Sequence, residues 1–112
     1  MDNARIIEKI HKFTEKKKSD KIIKFLGSSD ADVVIAALEA LSQIRDEDSV
    51  NSIAGMIDSQ EPKIRIEAAK ALGSLGTEYA KTYLLHRMAS EQDETVKSAI
   101  MDALHNIAVN KK

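Results

Sequence analysis

The chain has 112 residues, 43% hydrophobic and 31% charged, the size and balance of one folded domain with a solvated surface. Lys and Arg number 17 against 18 Asp and Glu, so the net charge is −1, without the basic excess of a dedicated nucleic-acid binder. The absence of cysteine excludes disulfides, thiolate metal sites and a cysteine nucleophile, and no apolar run approaches the ~20 residues of a membrane span.

The opening MDNARIIEKI has an early acid and no apolar signal-peptide core, so a cytoplasmic protein is expected. Aromatics are only 4% and Trp is absent, so the core is expected from Ile, Leu, Ala and Val. One Pro and four Gly offer little turn chemistry for a sheet.

In chain order, apolar residues recur at the spacings of one helix face, and no stretch alternates with a period of two, so helices and no strands are expected. A long helix is predicted over residues 4–17, with Ile6, Ile7, Ile10 and Phe13 inward. A short one follows over 20–27, carrying Ile22, Ile23 and Leu26. The pair recurs as 31–45 (Ala37, Leu38, Leu41, Ile44) and 49–58 (Ile53, Ala54, Ile57). It recurs again as 62–75 (Ala68, Ala69, Leu72, Leu75) and 78–89 (Leu84, Leu85, Met88). A last long helix is predicted over 94–109, with Ile100, Met101, Leu104 and Ile107 inward. Ser19, Asp30, Ser49, Thr77 and Asp93 stand where N-caps are needed. Pro62 suits a first helical turn. Gly27 and Gly76 fall at helix exits, where a left-handed residue is needed.

These elements are one unit repeated. A shift of 31 residues superposes the first three units, and the fourth needs 32. Each long helix (A) and short helix (B) form an amphipathic pair that cannot bury its apolar face alone, and stacking the pairs joins the faces into one core. One domain is expected over 1–112, with units of about 1–29, 30–60, 61–92 and 93–112.

The segments DADVVIAALEALSQI, EPKIRIEAAKALGSLG and DETVKSAIMDALHNIA resemble HEAT repeats, of the short kind found in phycobilisome-lyase-type proteins. That pattern runs acidic-Pro-x-apolar-Arg-x-x-Ala-Ala-x-x-Leu-Gly-x-apolar-Gly, and Glu61–Gly76 follows it almost throughout. Other copies depart from it: the Arg65 column holds Val34 and Lys97, and the Gly73 column holds Ser42 and His105. The resemblance implies an all-α fold, a right-handed α-solenoid of about three and a half HEAT-like hairpins with seven helices. It specifies architecture rather than function.

Motifs that carry chemistry are scarce. Gly73-Ser-Leu-Gly76 has the form of a nucleotide clamp, but such a clamp needs a sheet around it. Close packing at Gly73 and helix exit at Gly76 are expected instead. His11, His86 and His105 stand in different units and columns, so no metal site is expected. The acidic turns RDEDS (Arg45–Ser49) and SEQDE (Ser90–Glu94) read as solvated loops with caps. No catalytic constellation, cofactor site or enzymatic activity is expected.

The resemblance implies that the B helices line a concave surface where partners dock. Three of their columns point away from the core: Lys21, Ser52, Tyr83; Lys24, Gly55, His86; and Phe25, Met56, Arg87. The partner-binding residues expected from these columns are Lys21, Lys24, Phe25, Ser52, Met56, Tyr83, His86 and Arg87. Phe25 and Met56 have an equal alternative role, filling gaps between units. The expected function is therefore a non-enzymatic protein-binding scaffold. A bilin-lyase-like or glycosylase-like enzyme is the alternative, as is nucleic-acid binding through the cluster Lys12–Lys24, which lacks interleaved aromatics. The last A helix has no B partner. If Ile100, Met101, Leu104 and Ile107 face inward, Val96, Ala99, Ala103 and Val109 are left partly open. A monomer is expected because Lys97, Asp102 and Asn110–Lys112 make this helix partly polar, with self-association through it, or continuation as a longer solenoid, as the alternatives.

Overall fold

The computed structural model describes residues 3–110. Its helices are α1 (Asn3–Glu15), α2 (Ser19–Ile23), α3 (Ala31–Ile44), α4 (Glu47–Met56), α5 (Pro62–Leu75), α6 (Glu78–Ser90) and α7 (Glu94–Asn110), and α2 runs into a 3-10 turn at Lys24–Gly27. No strand occurs among the described residues. The odd-numbered helices stack as one layer, α1 on α3, α3 on α5 and α5 on α7. The even-numbered helices form the second, α2 on α4 and α4 on α6, and each packs on the long helix of its own unit. This is an all-α solenoid.

Helix ends follow local chemistry. The Asp30 carboxylate accepts the Asp32 amide at 2.9 Å, the Thr77 hydroxyl accepts the Ala80 amide at 3.0 Å, and Asp93 accepts those of Thr95 and Val96 at 2.8 and 3.1 Å. Pro62 opens α5, and Gly76 closes it with φ 67°.

Three expected ends differ. Asp46, not Ser49, caps α4, accepting the Ser49 amide at 2.8 Å, so the helix starts two residues earlier than expected. Ser19 is buried and donates its hydroxyl to Asp46 Oδ2 at 2.6 Å, tying unit one to unit two instead of capping α2. Gly27 closes a 3-10 turn without a left-handed φ, and the left-handed positions are Lys17 (φ 54°), Arg45 (φ 63°) and Gly76. Arg45 stands 31 residues before Gly76, so the exit recurs with the repeat while its residue type does not. The Arg45 guanidinium reaches the next unit, donating to the carbonyls of Ser74 at 3.2 Å and Leu75 at 2.8 Å. It thereby satisfies the end of α5.

The core lies between the two layers. Ile10, Leu38, Leu41, Ala68, Ala69, Leu72 and Ile100 are fully buried from the long helices, and Ile22, Ile53 and Leu84 from the short ones. Burying one such Leu or Ile contributes about 1.5–3 kcal/mol. A second periodic set has the same offsets: Val33, Ile64 and Val96 are buried, as are the small residues Ala40, Ala71 and Ala103. The small set lets the long helices approach closely. At Gly73 the approach is closest, since a β-carbon there would lie 2.8 Å from Ala103 Cβ and 3.0 Å from its Cα.

That notch sets the rotation of α7 and corrects the expectation for this helix. With Ala103 seated against Gly73, the buried edge is Val96, Ile100, Ala103 and Ile107. Ala99 and Leu104 are half-buried, whereas Met101 is 58% and Val109 60% exposed. Leu85, expected inside α6, is 51% exposed, although its counterpart Ala54 is buried. At the Met101 position the second and third units bury Leu38 and Ala69, while the first leaves Ile7 half-buried. Lys111 and Lys112, expected to make the chain end polar, lie outside the described residues.

Candidate functional site

The exposed side of the second layer is made by α2, α4 and α6. Lys21 on α2 and Lys24 at the start of the 3-10 turn are exposed. Ser52 on α4 is half-buried and Gly55 is exposed. On α6, Tyr83 is half-buried and His86 exposed. Phe25 and Met56, like Tyr83, are half-buried and pack against the core. Of the other expected residues, Lys21, Lys24 and His86 are exposed, and Ser52, Tyr83 and Arg87 are half-buried.

The feature of this face that the columns missed is Tyr79. It is 43% exposed and stands one helical turn before Tyr83. The two rings meet edge to face, with centroids 5.0 Å apart and planes at 61°. The Tyr79 hydroxyl donates to Asn51 Oδ1 at 2.6 Å, which ties α6 to α4, and lies 3.4 Å from the Tyr83 hydroxyl. The hydrogen bond with Tyr83, first, and then some desolvation and nearby negative charge hold the Tyr79 phenol above the ordinary tyrosine range. The i, i+4 spacing of two tyrosines on one helix was a signal available in the sequence.

Arg87 has a different place from the one expected. Its side chain is 20% exposed, and its Nε donates to Glu91 Oε1 at 2.9 Å while Nη1 meets Asp58 at 3.3 Å. Glu91 in turn receives Arg65, Nε on Oε1 at 2.9 Å and Nη2 on Oε2 at 3.0 Å, with Arg65 Nη1 on the Ser59 carbonyl at 2.8 Å. The Asp93 amide adds a bond to Oε2 at 3.1 Å. Burial alone would raise the Glu91 carboxyl, but the bonds from Arg65, then Asp93 and Arg87, outweigh it and hold it at about 2. The same pairing raises Arg87. So the turn Ser90–Glu94 is not simply a solvated loop: Glu91 is buried because two guanidiniums and an amide replace its water. Arg87 is one of its anchors.

The cap Asp46 has its carboxyl lowered, chiefly by the Ser19 hydroxyl and then by Ser49. His11, His86 and His105 are all exposed and stand on three different helices, α1, α6 and α7. Among the described residues no three His, Cys, Asp or Glu come together as a metal-holding group, and no helix is long and apolar enough to cross a membrane. Gly73-Ser-Leu-Gly76 is the last turn and exit of α5.

No curated protein matches the chain. A family model for HEAT repeats matches residues 4–105, nearly the whole length, and its span takes in all four stacked units described above. The chain belongs to the HEAT-repeat family.

Proposed function

We propose that this chain is a non-enzymatic scaffold that holds a partner protein on the face formed by α2, α4 and α6. The observation that carries this reading is the Tyr79–Tyr83 pair. Tyrosine presents a large amphipathic surface and is over-represented where proteins bind. Here the rings are held before any partner arrives, Tyr79 by Asn51 and by the edge of Tyr83. Ordering them on binding therefore costs less side-chain entropy than ordering free rings. Exposed Lys24 and His86 supply a polar surround, and Gly55 leaves a low point on α4 between them.

The test is capture of partners by immobilised chain, comparing the wild type with Tyr79→Ala/Tyr83→Ala. Both substitutions are on or near the surface, so circular dichroism should show unchanged helicity. A partner held by this face should lose about 10- to 1,000-fold in affinity, as a centre of two hot-spot residues does. An unchanged affinity moves the site off this face. Bilin attachment or base excision by the purified chain would replace the scaffold reading with an enzymatic one.

A further inference from the structure

The near-zero net charge hides a separation of charge along the solenoid. Residues 3–24 carry eight Lys and Arg against three Asp and Glu, a surplus of five. Residues 25–110 carry seven against fourteen, a deficit of seven. The two sets also behave differently. Of the seven later cations, Lys63, Arg65, Lys70, Arg87 and Lys97 are in ion pairs. Among the described residues, none of the eight earlier ones forms an ion pair.

Four of the eight lie in a line. Arg5, Lys9, Lys12 and Lys16 recur at i, i+4, i+7 and i+11, are exposed, and line one open depression with Glu8 and Phe13. At 1.5 Å per residue the stripe is about 16 Å long. The chain then turns through Lys17, whose φ of 54° disfavours a residue with a β-carbon. At their own exits the third unit uses Gly76, and the second uses Arg45 to bond the carbonyls of α5. Lys17 has no such partner among the described residues. Its conformation closes α1, the Lys17 amide bonding the Thr14 carbonyl at 3.0 Å and the Lys18 amide that of Phe13 at 2.9 Å, and its exposed side chain adds charge at the end of the stripe.

The chemistry of the stripe selects its ligand. It has no exposed large apolar side chain to enter a bilayer, Ile6, Ile7 and Phe13 being half-buried. Five of the six residues that line its depression are charged and the sixth, Phe13, is half-buried, so it presents no exposed aromatic or aliphatic side chain as an anchor for a peptide. A duplex backbone needs neither, because a row of cations neutralises phosphates without reading bases. With both strands counted a duplex carries a charge every ~1.7 Å of axis, so a stripe of about 16 Å can find a phosphate for each of its four cations.

We propose that the outer face of α1 docks on the phosphate backbone of double-stranded nucleic acid. Arg5, Lys9, Lys12 and Lys16 each neutralise one phosphate, and Lys17 flanks them. The contact is independent of base sequence. The acidic remainder of the solenoid confines it to this end, apart from the α2–α4–α6 face.

The experiment is fluorescence anisotropy of a short labelled DNA duplex titrated with the full chain at several salt concentrations. Four phosphates give a slope of log K on log salt of about −3.6, an affinity loss of about 150-fold between 50 and 200 mM. Lys9→Gln/Lys12→Gln/Lys16→Gln should reduce the slope to about −1, with helicity unchanged, while Lys63→Gln/Lys70→Gln should leave it as it is. The proposal is overturned by absent binding at about 25 mM salt, where this electrostatic term is strong, or by an equal loss in both variants. Tighter binding to phosphatidylserine vesicles or to poly-glutamate than to the duplex would overturn it as well.

Discussion

Replacing Glu91 by Gln keeps the shape of the side chain and removes the charge that two arginines surround. Glu91 is buried, and its carboxyl sits at about 2 instead of its ordinary 4.5. That difference corresponds to about 3 kcal/mol of folding stability at neutral pH, at the lower end of the ~3–5 kcal/mol lost when a buried ion pair is broken. For a domain of this size the loss lowers Tm by roughly 10–20 °C. Because the folded-state value is depressed, the contribution is complete above about pH 5 and is lost as pH falls toward 2. Urea denaturation of wild type and Glu91→Gln at pH 7 and pH 3 measures it. The gap should be about 3 kcal/mol at pH 7 and roughly half that at pH 3, where Glu91 of the unfolded chain is already protonated while that of the folded chain is still mostly charged. A gap below 1 kcal/mol at pH 7, or one equal at both pH values, refutes a buried carboxylate held charged by Arg65 and Arg87.

Two further outcomes test the packing. Gly73→Ala gains about 1 kcal/mol of helix propensity but forces α5 and α7 apart, so a net loss of up to about 2 kcal/mol is expected in thermal melts. Adding Ala103→Gly should recover much of the packing loss, and a strictly additive double mutant would place the clash elsewhere. Met101→Glu should change stability by no more than about 0.5 kcal/mol, as at other exposed sites, whereas Leu38→Glu at the matching buried position should prevent folding. A large loss from Met101→Glu, read by chemical denaturation, would mean that this position is covered.

The repeat was legible because every unit solves the same burial problem with residues 31 or 32 apart. Ala68, Ala69 and Leu72 occupy the buried places that Ala37, Leu38 and Leu41 predict, and Pro62, Asp30, Thr77 and Asp93 mark helix starts by local chemistry alone. The rotation of α7 was not legible, since Val96 and Ala103 are as apolar as Met101 and Leu104. What decides between those edges is the missing side chain at Gly73, on another helix. The Glu91 site was hidden for a related reason. A carboxylate in an acidic turn looks solvated until Arg65, 26 residues earlier, is brought against it. Arg87 was expected on the docking face because its column points outward, yet Asp58 and Glu91 draw it back onto the fold. Tyr79 escaped notice because its column holds Asp48 in the preceding unit, so only the neighbouring Tyr83 marks it.

The hold of Arg45 on the last carbonyls of α5 has a mechanical consequence. The second and third units are tied by this bond at one end of their long helices, and by Asn51–Tyr79 and Asp58–Arg87 across their short ones. Between the first and second units, Ser19–Asp46 is the cross-tie with a side chain at both ends. A solenoid strapped in this way does not flex like a uniform spring. The first junction is held chiefly by the apolar packing of α1 and α2 on α3, whereas the second adds directional polar ties that resist sliding of one unit past the next.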